Sequence, residues 1–167
     1  LLVKLGNAEV VYGETPVYQV VSAGYYNSGS QRVVDLTSNT QVQGRKVTVT
    51  DGASGSAEFN IGISSPALSS SGKVRIGTYR LIAENTVLTS ANFSNKLVLQ
   101  GNLEVQVKPL VVSLNSTKSK AYDGNVQMTS LALALITPLT GDVVAASGTG
   151  VYASKNVGET NYMVSGI

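Results

Sequence analysis

The residue types that most often perform catalysis are largely missing from this chain of 167 residues, which contains no histidine and no cysteine. A serine or cysteine nucleophile of the usual kind needs a histidine beside it as a general base, so such a triad cannot be assembled. The S-x-x-K pair of Ser70 and Lys73 lies in a Ser-rich stretch, which indicates a loop rather than the helix that serine–lysine chemistry uses. We therefore predict that the chain is not an enzyme and binds no cofactor.

Carboxylates, the ligands that Ca²⁺ prefers, are spread along the chain. The four aspartates form no D-x-D-x-D-G run. A Ca²⁺ site would need two of them, Asp123 and Asp142, to meet in the folded chain and to be joined by further oxygen ligands. The sequence therefore predicts no metal site, and the spacing of the acids does not indicate the paired carboxylates of a glycosidase.

An adjacent pair of tyrosines, Tyr25 and Tyr26, is followed by Asn27 and forms the best candidate for a ligand-binding site. Aromatic rings are the usual apolar platform for the faces of sugars. Glycine, asparagine and serine surround the pair, so residues 24–30 are predicted to form a turn. Two interpretations remain open: a turn that contacts carbohydrate or host protein, and an ordinary turn packed by its tyrosines. An exposed cluster of Tyr18, Tyr25 and Tyr26 around a groove would favour the first interpretation.

Two Tyr-Gly motifs are interpreted as structural rather than ligand-binding. Aspartate and glycine are turn residues, and the tyrosine rings are expected to pack under the ends of their domains. Gly124 is expected to have a positive φ or to lie in a tight turn. The motif residues are Tyr12 and Gly13 in the first motif and Tyr122, Asp123 and Gly124 in the second.

The composition indicates an all-β extracellular protein. Hydrophobic residues make up 43% of the chain, which is enough for a core, while charged residues make up only 13%. The net charge of +2 is too small to suggest a nucleic-acid partner. No apolar stretch reaches the length of a transmembrane helix, so no membrane insertion is expected.

The segment around Pro109 organises the predicted strands. Leu103, Val105 and Val107 alternate with polar residues, which is the pattern of a strand with one buried face. Pro109 cannot donate to a sheet ladder, and the apolar run resumes in residues 110–114. One strand thus closes a unit and another opens the next with almost no linker.

The other alternating segments predict further short strands and no long helix. A Leu-Ala repeat in residues 126–136 is compatible with a helix, but its flanking Thr and Ser residues favour a strand. The fold class is therefore all-β, with an Ig-like sandwich favoured over a β-grasp variant. The predicted strands cover residues 17–22, 32–36, 45–50, 59–63, 73–76, 77–84, 97–107, 126–136, 143–146, 150–153 and 161–164.

A repeat at the start of each half defines two tandem modules. Residues 1–14 can be laid over residues 110–125, so that Leu1 falls on Leu110 and Leu5 on Leu114. We predict one domain over residues 1–109. A second domain is predicted over residues 110–167 and is expected to be incomplete at its C-terminal end.

The motifs of both halves resemble known adhesin domains. Residues 12–16, 77–81, 91–93 and 101–105 follow the YG-x-x-P, GxY, N-aromatic and G-x-L-x-V pattern of the MBG domain. Residues 120–158 carry the K-A-Y-D-G, T-G-D-V and G-V-Y-A-S-K-N-V-G segments and are similar to the YDG domain. Both families occur in filamentous-haemagglutinin-like surface adhesins of bacteria.

The resemblance implies a non-enzymatic stalk or repeat module of a secreted bacterial surface adhesin. Such a module would act as a semi-rigid spacer that projects a binding tip for adhesion or biofilm formation at the cell surface. Its partners would be neighbouring repeats, host glycan or protein, or further copies of itself. The alternative is a ligand-binding module that uses residues 24–30, and a glycosidase or lyase domain is the third hypothesis.

Overall fold

The computed structural model describes residues 1–93, 96–115, 119–128, 131–136 and 138–166. The chain is divided into two compact units, Leu1–Lys108 and Pro109–Ile167, and each is considered by itself. The described residues form strands, turns and one 3₁₀ turn at Thr37–Asn39, with no α-helix, so the all-β prediction is confirmed. No helix in this part of the chain is long and apolar enough to cross a membrane.

The described residues of unit 1 form ten strands in two sheets. The four-stranded sheet has the order β4-β3-β1-β9, and the six-stranded sheet has the order β2-β10-β8-β7-β6-β5. The strands are β1 (Leu2–Leu5), β2 (Ala8–Val11), β3 (Val20–Asn27), β4 (Arg32–Asp35), β5 (Thr40–Gln43), β6 (Lys46–Thr50), β7 (Ser56–Ile63), β8 (Gly77–Leu88), β9 (Val98–Gln100) and β10 (Asn102–Gln106).

Alternating apolar residues from both sheets form one core, as in the predicted sandwich. On β6 and β7 the predicted hairpin is present, and Val47, Val49 and Phe59 are at most 2% exposed. Val3 of β1 contributes to the same buried cluster from the four-stranded sheet. Since each strand buries one face, these positions follow the period of two that the sequence shows.

The first and last segments of unit 1 each pass from one sheet to the other. β1 pairs in parallel with β9 in the four-stranded sheet, and β2 pairs in parallel with β10 in the six-stranded sheet. The prediction of a single strand over residues 97–107 was therefore wrong. The strand is interrupted at Gly101, where β9 ends and β10 begins in the other sheet. Gly101 has a φ of 147°, and a Cβ there would lie 3.1 Å from the carbonyl oxygen of Leu5. A side chain is disfavoured at this point, which explains the glycine.

The parallel pairing determines at which ends the chain enters and leaves unit 1. Residues 2–11 and 98–106 run side by side in the same direction through unit 1. The chain therefore enters unit 1 at one end of the two sheets and leaves it at the other. A stretch of ten extended residues covers about 30 Å.

The predicted strand at residues 17–22 and the turn at residues 24–30 were misplaced. β3 runs from Val20 to Asn27 and pairs with β4, so Tyr25 and Tyr26 lie inside a strand. β-branched and aromatic residues suit a half-buried pleated surface, and here they extend the strand through the glycine. The turn begins at Asn27, whose Oδ1 accepts hydrogen bonds from the amides of Gly29 (2.9 Å) and Ser30 (3.1 Å).

The part of unit 2 that the structure describes has four short strands in two antiparallel pairs. The Leu-Ala segment is a strand, as favoured, and residues 143–146 form no regular strand, contrary to prediction. Val143 is 92% exposed, so its apolar character is not used in a buried face. The pairs are β11 (Val112–Leu114) with β12 (Leu133–Leu135) and β13 (Thr149–Tyr152) with β14 (Tyr162–Ser165).

Candidate functional site

The predicted tyrosine pair does not form a single platform. Tyr25 and Tyr26 are successive residues of β3, so their side chains point to opposite faces of the sheet. The Tyr25 ring packs edge-on against the ring of Phe93, with centroids 5.5 Å apart and planes at 71°. Tyr26 is 64% exposed on the other face. A ligand can therefore reach Tyr26, whereas Tyr25 is part of the packing.

The exposed tyrosine lies on an outward-facing apolar surface of the four-stranded sheet. Tyr26 pairs with Val33, and Leu2 pairs with Val98, on the same side of the sheet. These four residues, called the apolar face below, are between 43% and 74% exposed. They are among the residues that line a shallow groove, and Lys96 lines it as well.

The third member of the predicted ligand site, Asn27, is engaged within the fold, and so is Tyr18. Asn27 uses its side-chain oxygen to close the turn after β3. Tyr18 is only 8% exposed, and its burial raises the pKa of its hydroxyl. An exposed cluster of Tyr18, Tyr25 and Tyr26 around a groove, which would favour ligand binding, is therefore not formed.

The first Tyr-Gly motif lies at the end of β2 and contacts both the buried cluster and the Ser-rich loop. Tyr12 packs against the buried cluster, and its hydroxyl donates a hydrogen bond of 2.7 Å to the Oγ of Ser69. The Ser-rich loop is thereby attached to the end of β2, and Gly13 turns the chain there with a φ of 89°. These contacts agree with a structural role for the motif.

The second motif forms a turn held by an ion pair. Asp123 accepts hydrogen bonds from the Lys120 Nζ at 2.7 Å and from the Asn125 amide at 2.9 Å. The contact with Lys120, followed by the backbone hydrogen bond, lowers the pKa of the Asp123 carboxyl. Gly124 has a φ of 75°, which confirms the expected positive value.

The tyrosine of this second motif does not pack under the domain, contrary to prediction. Tyr122 is 68% exposed, whereas the ring of Tyr152 on β13 is 8% exposed. The Lys120 Nζ lies 5.9 Å from the centroid of that ring. The turn thus packs on Tyr152, and its own tyrosine stands at the surface.

A small cavity of about 280 Å³ lies beside this turn in unit 2. Its walls come from residues 119–125, from Tyr152 and from the loop of residues 154–160. Glu159 in that loop is already engaged, because it accepts hydrogen bonds from the Ser154 Oγ (3.0 Å) and the Asn161 amide (2.8 Å). The sequence showed that both segments belong to the YDG-like motifs, but it did not predict that they lie side by side in the folded unit.

Sequence reasoning missed a polar cluster around Asp51 in unit 1. The carboxylate accepts hydrogen bonds from the Ser90 Oγ, from the Ala53 amide (2.9 Å) and from the Asn92 Nδ2 (3.2 Å). These hydrogen bonds lower the pKa of the Asp51 carboxyl, and the one from Ser90 is the largest cause. The cluster ties the loop between β6 and β7 to the loop after β8, and only the Asp-Gly turn signal was visible in the sequence.

Metal ligands are not clustered in the part of the chain that the structure describes. No group of three or more histidine, cysteine, aspartate or glutamate residues there is arranged to hold a metal ion. Of the two aspartates considered for Ca²⁺, Asp123 is engaged with Lys120. The structure thus gives no support for a site built on Asp123 and Asp142.

Comparison with known proteins identifies the C-terminal part of the chain. Residues 106–167 match the family model of the YDG domain. The comparisons give no evidence for an MBG domain in the N-terminal part. No curated protein and no solved structure matches the chain.

Proposed function

We propose, from the YDG domain at residues 106–167, that this chain is a non-enzymatic spacer segment of a secreted bacterial surface adhesin. The YDG domain is a module found in bacterial surface repeat proteins. The N-terminal unit is proposed to be an MBG-like module on the strength of its motifs. Together they would project a distal binding tip from the cell surface for adhesion or biofilm formation.

The observation that carries this proposal is the parallel pairing of the first and last strands of unit 1. Because β1 lies parallel to β9 and β2 lies parallel to β10, the chain enters and leaves unit 1 at opposite ends. A module of this kind adds its length to an array, about 30 Å for ten extended residues. A module whose two termini lay at the same end would add little length to the array.

The joint between the units supports a semi-rigid spacer. Only residues 107–111 separate β10 from β11, and Pro109 is one of them. Proline fixes its own φ and restricts the residue before it, so the joint has less freedom than a Gly- or Ser-rich linker. The low fraction of charged residues, 13% of the chain, also supports the proposed role at the cell surface.

A linker insertion tests the spacer proposal. A flexible Gly-Ser segment inserted between Lys108 and Pro109 is expected to shorten the mean end-to-end distance per residue of chain, measured by small-angle X-ray scattering. A proline-rich segment of equal length at the same place is the control, and it is expected to lengthen the particle. A Gly-Ser insertion that leaves the scattering profile of the parent chain unchanged would show that the native joint is already loose and would contradict a stiff joint.

The second candidate function is ligand binding through the apolar face, because Leu2, Tyr26, Val33 and Val98 are all exposed there. Under the spacer proposal the chain binds no sugar on a broad glycan array at micromolar concentration. Sub-micromolar binding to one glycan that is lost in Tyr26→Ala, but kept in Tyr122→Ala, would establish the ligand-binding module instead. Both substitutions remove an exposed tyrosine, so they form a matched pair.

A further inference from the structure

One edge of β11 in unit 2 is not covered by a strand of the described residues. Within the part of unit 2 that the structure describes, β11 pairs with β12 alone, with Ser113 opposite Ala134. The Asn115 amide donates to the Ala132 carbonyl at 2.8 Å, and hydrogen-bonded residues alternate along an antiparallel strand. Ser113 and Asn115 therefore face β12, and the backbone groups of Val112 and Leu114 face the other way. This second side is called the open edge of β11.

The repeat within the chain shows what occupies the equivalent edge in unit 1. When Leu1 is laid on Leu110, Gly6 falls on Asn115, and Gly6 donates its amide to Gln19 at 2.9 Å. The hydrogen bond from Asn115 to Ala132 is the counterpart of this contact, so β12 takes the place beside β11 that β3 takes beside β1.

The other side of β1 is covered. The Val98 amide of β9 donates to the Leu1 carbonyl at 2.9 Å, and β9 continues in parallel beside β1. Backbone groups of Leu1 and Val3 thus face β9, and these residues correspond to Leu110 and Val112. The open edge of β11 is therefore the counterpart of the β1 edge that binds β9.

Burial differs between the two units in the direction that the open edge of β11 predicts. Val3 is 0% and Leu5 is 1% exposed, whereas the corresponding Val112 and Leu114 are only partly buried. Tyr152 is the one buried hydrophobic residue among the described residues of unit 2. Two-stranded sheets are marginal by themselves, so unit 2 gains stability from any strand that completes it.

We propose that the open edge of β11 is a strand-acceptor site for an extended peptide segment with alternating apolar residues, bound parallel to β11. The occupant has the chemistry of the closing segment of unit 1, residues 97–106, in which β9 and β10 present Leu99, Leu103 and Val105 to the core. Backbone hydrogen bonds hold such a strand, and its alternate side chains give specificity. The site stands on pairing within unit 2 and does not depend on the spacer role.

A synthetic peptide with the sequence of residues 97–106 tests this site on the whole chain. Hydrogen exchange at the Val112 and Leu114 amides, followed by NMR, is expected to slow by about tenfold or more when the peptide is added. Exchange at Ser113 is expected to change less, because that residue already pairs with β12.

Two methylated peptides supply the matched control. In the register of β1 and β9, the amides at the Val98 and Gln100 positions face the acceptor and the amide at the Leu99 position faces away. N-methylation at the first two positions is expected to abolish the slowing, and N-methylation at the third is expected to preserve it. Equal behaviour of the two peptides, or no slowing at millimolar peptide, overturns the proposal. Slowing that appears without peptide as the chain dimerises also overturns it, because a second copy would then be the occupant.

Discussion

Gly124 tests the role of the Tyr-Asp-Gly turn at the scale of a single residue. Its φ is 75°, and a Cβ built there meets no atom within 4 Å, so any cost comes from the backbone rather than from a clash. We expect Gly124→Val to destabilise unit 2 by about 1–2 kcal/mol, as measured by denaturant-dependent exchange of the β13 and β14 amides. Gly124→Asn is the control, because asparagine tolerates the left-handed region. Equal stability of Gly124→Val and the parent would contradict a structural turn.

The sequence could identify this turn but not the contacts of its tyrosine. Aspartate and glycine carry turn signals of their own, which is why the positive φ of Gly124 was predictable. The choice between Tyr122 and Tyr152 as the buried ring depends on a contact between segments about thirty residues apart. No local pattern contains that information. The same reason hides the partners of Asp51, since Ser90 and Asn92 approach it only in the folded chain.

Asp51 leads to a pH prediction at the residue scale. Its pKa is lowered in the folded chain, so on acidification the unfolded chain takes up the proton first. The stabilisation is complete above the unfolded pKa of about 4 and is lost as the pH falls from there through the lowered folded value. We expect Ser90→Ala, which removes the largest cause of the shift, to reduce the acid-induced loss of stability in urea unfolding. An unchanged pH dependence would show that the cluster is not formed in solution.

At the scale of elements, β3 shows how a local turn signal is overridden. Glycine, asparagine and serine around the tyrosine pair indicated a turn, yet the chain stays extended to Asn27 because β4 pairs with it over four residues. The hairpin of β6 and β7 was predictable, since strict alternation flanks its Asp-Gly turn. The interruption of the strand at Gly101 was not predictable, because apolar and polar residues alternate in the same way before and after it.

The two faces of β3 give the element-scale prediction. Tyr25 contacts Phe93 and the buried cluster, so Tyr25→Ala is expected to destabilise unit 1 by about 2–3 kcal/mol. Tyr26 is exposed on the apolar face, and Tyr26→Ala is expected to change the stability by less than about 0.5 kcal/mol. Urea unfolding followed by circular dichroism measures both. Similar losses in the two variants would mean that β3 is not oriented as described.

At the scale of the whole molecule, the two units differ in how much apolar surface they bury. The main buried cluster, counted over the described residues, has 17 members, and all of them lie in unit 1 between Leu1 and Val105. Unit 2 buries one hydrophobic residue among its described residues and pairs its strands two by two. Stability follows buried apolar area, so the units are expected to differ in stability rather than to unfold together.

A truncation experiment tests this difference. The segment of residues 1–108 is expected to unfold in one transition at the urea midpoint that unit 1 shows in the whole chain, because every described residue of its buried cluster lies within residues 1–105. In the whole chain, the amides of β11 and β13 are expected to exchange at lower urea concentrations than those of β6 and β7. A chain cut inside β10, after Leu103, is the control, since it removes Val105 from the core and one neighbour from β2. A single transition shared by all four strands, or loss of folding in residues 1–108, would show that the units depend on each other for stability.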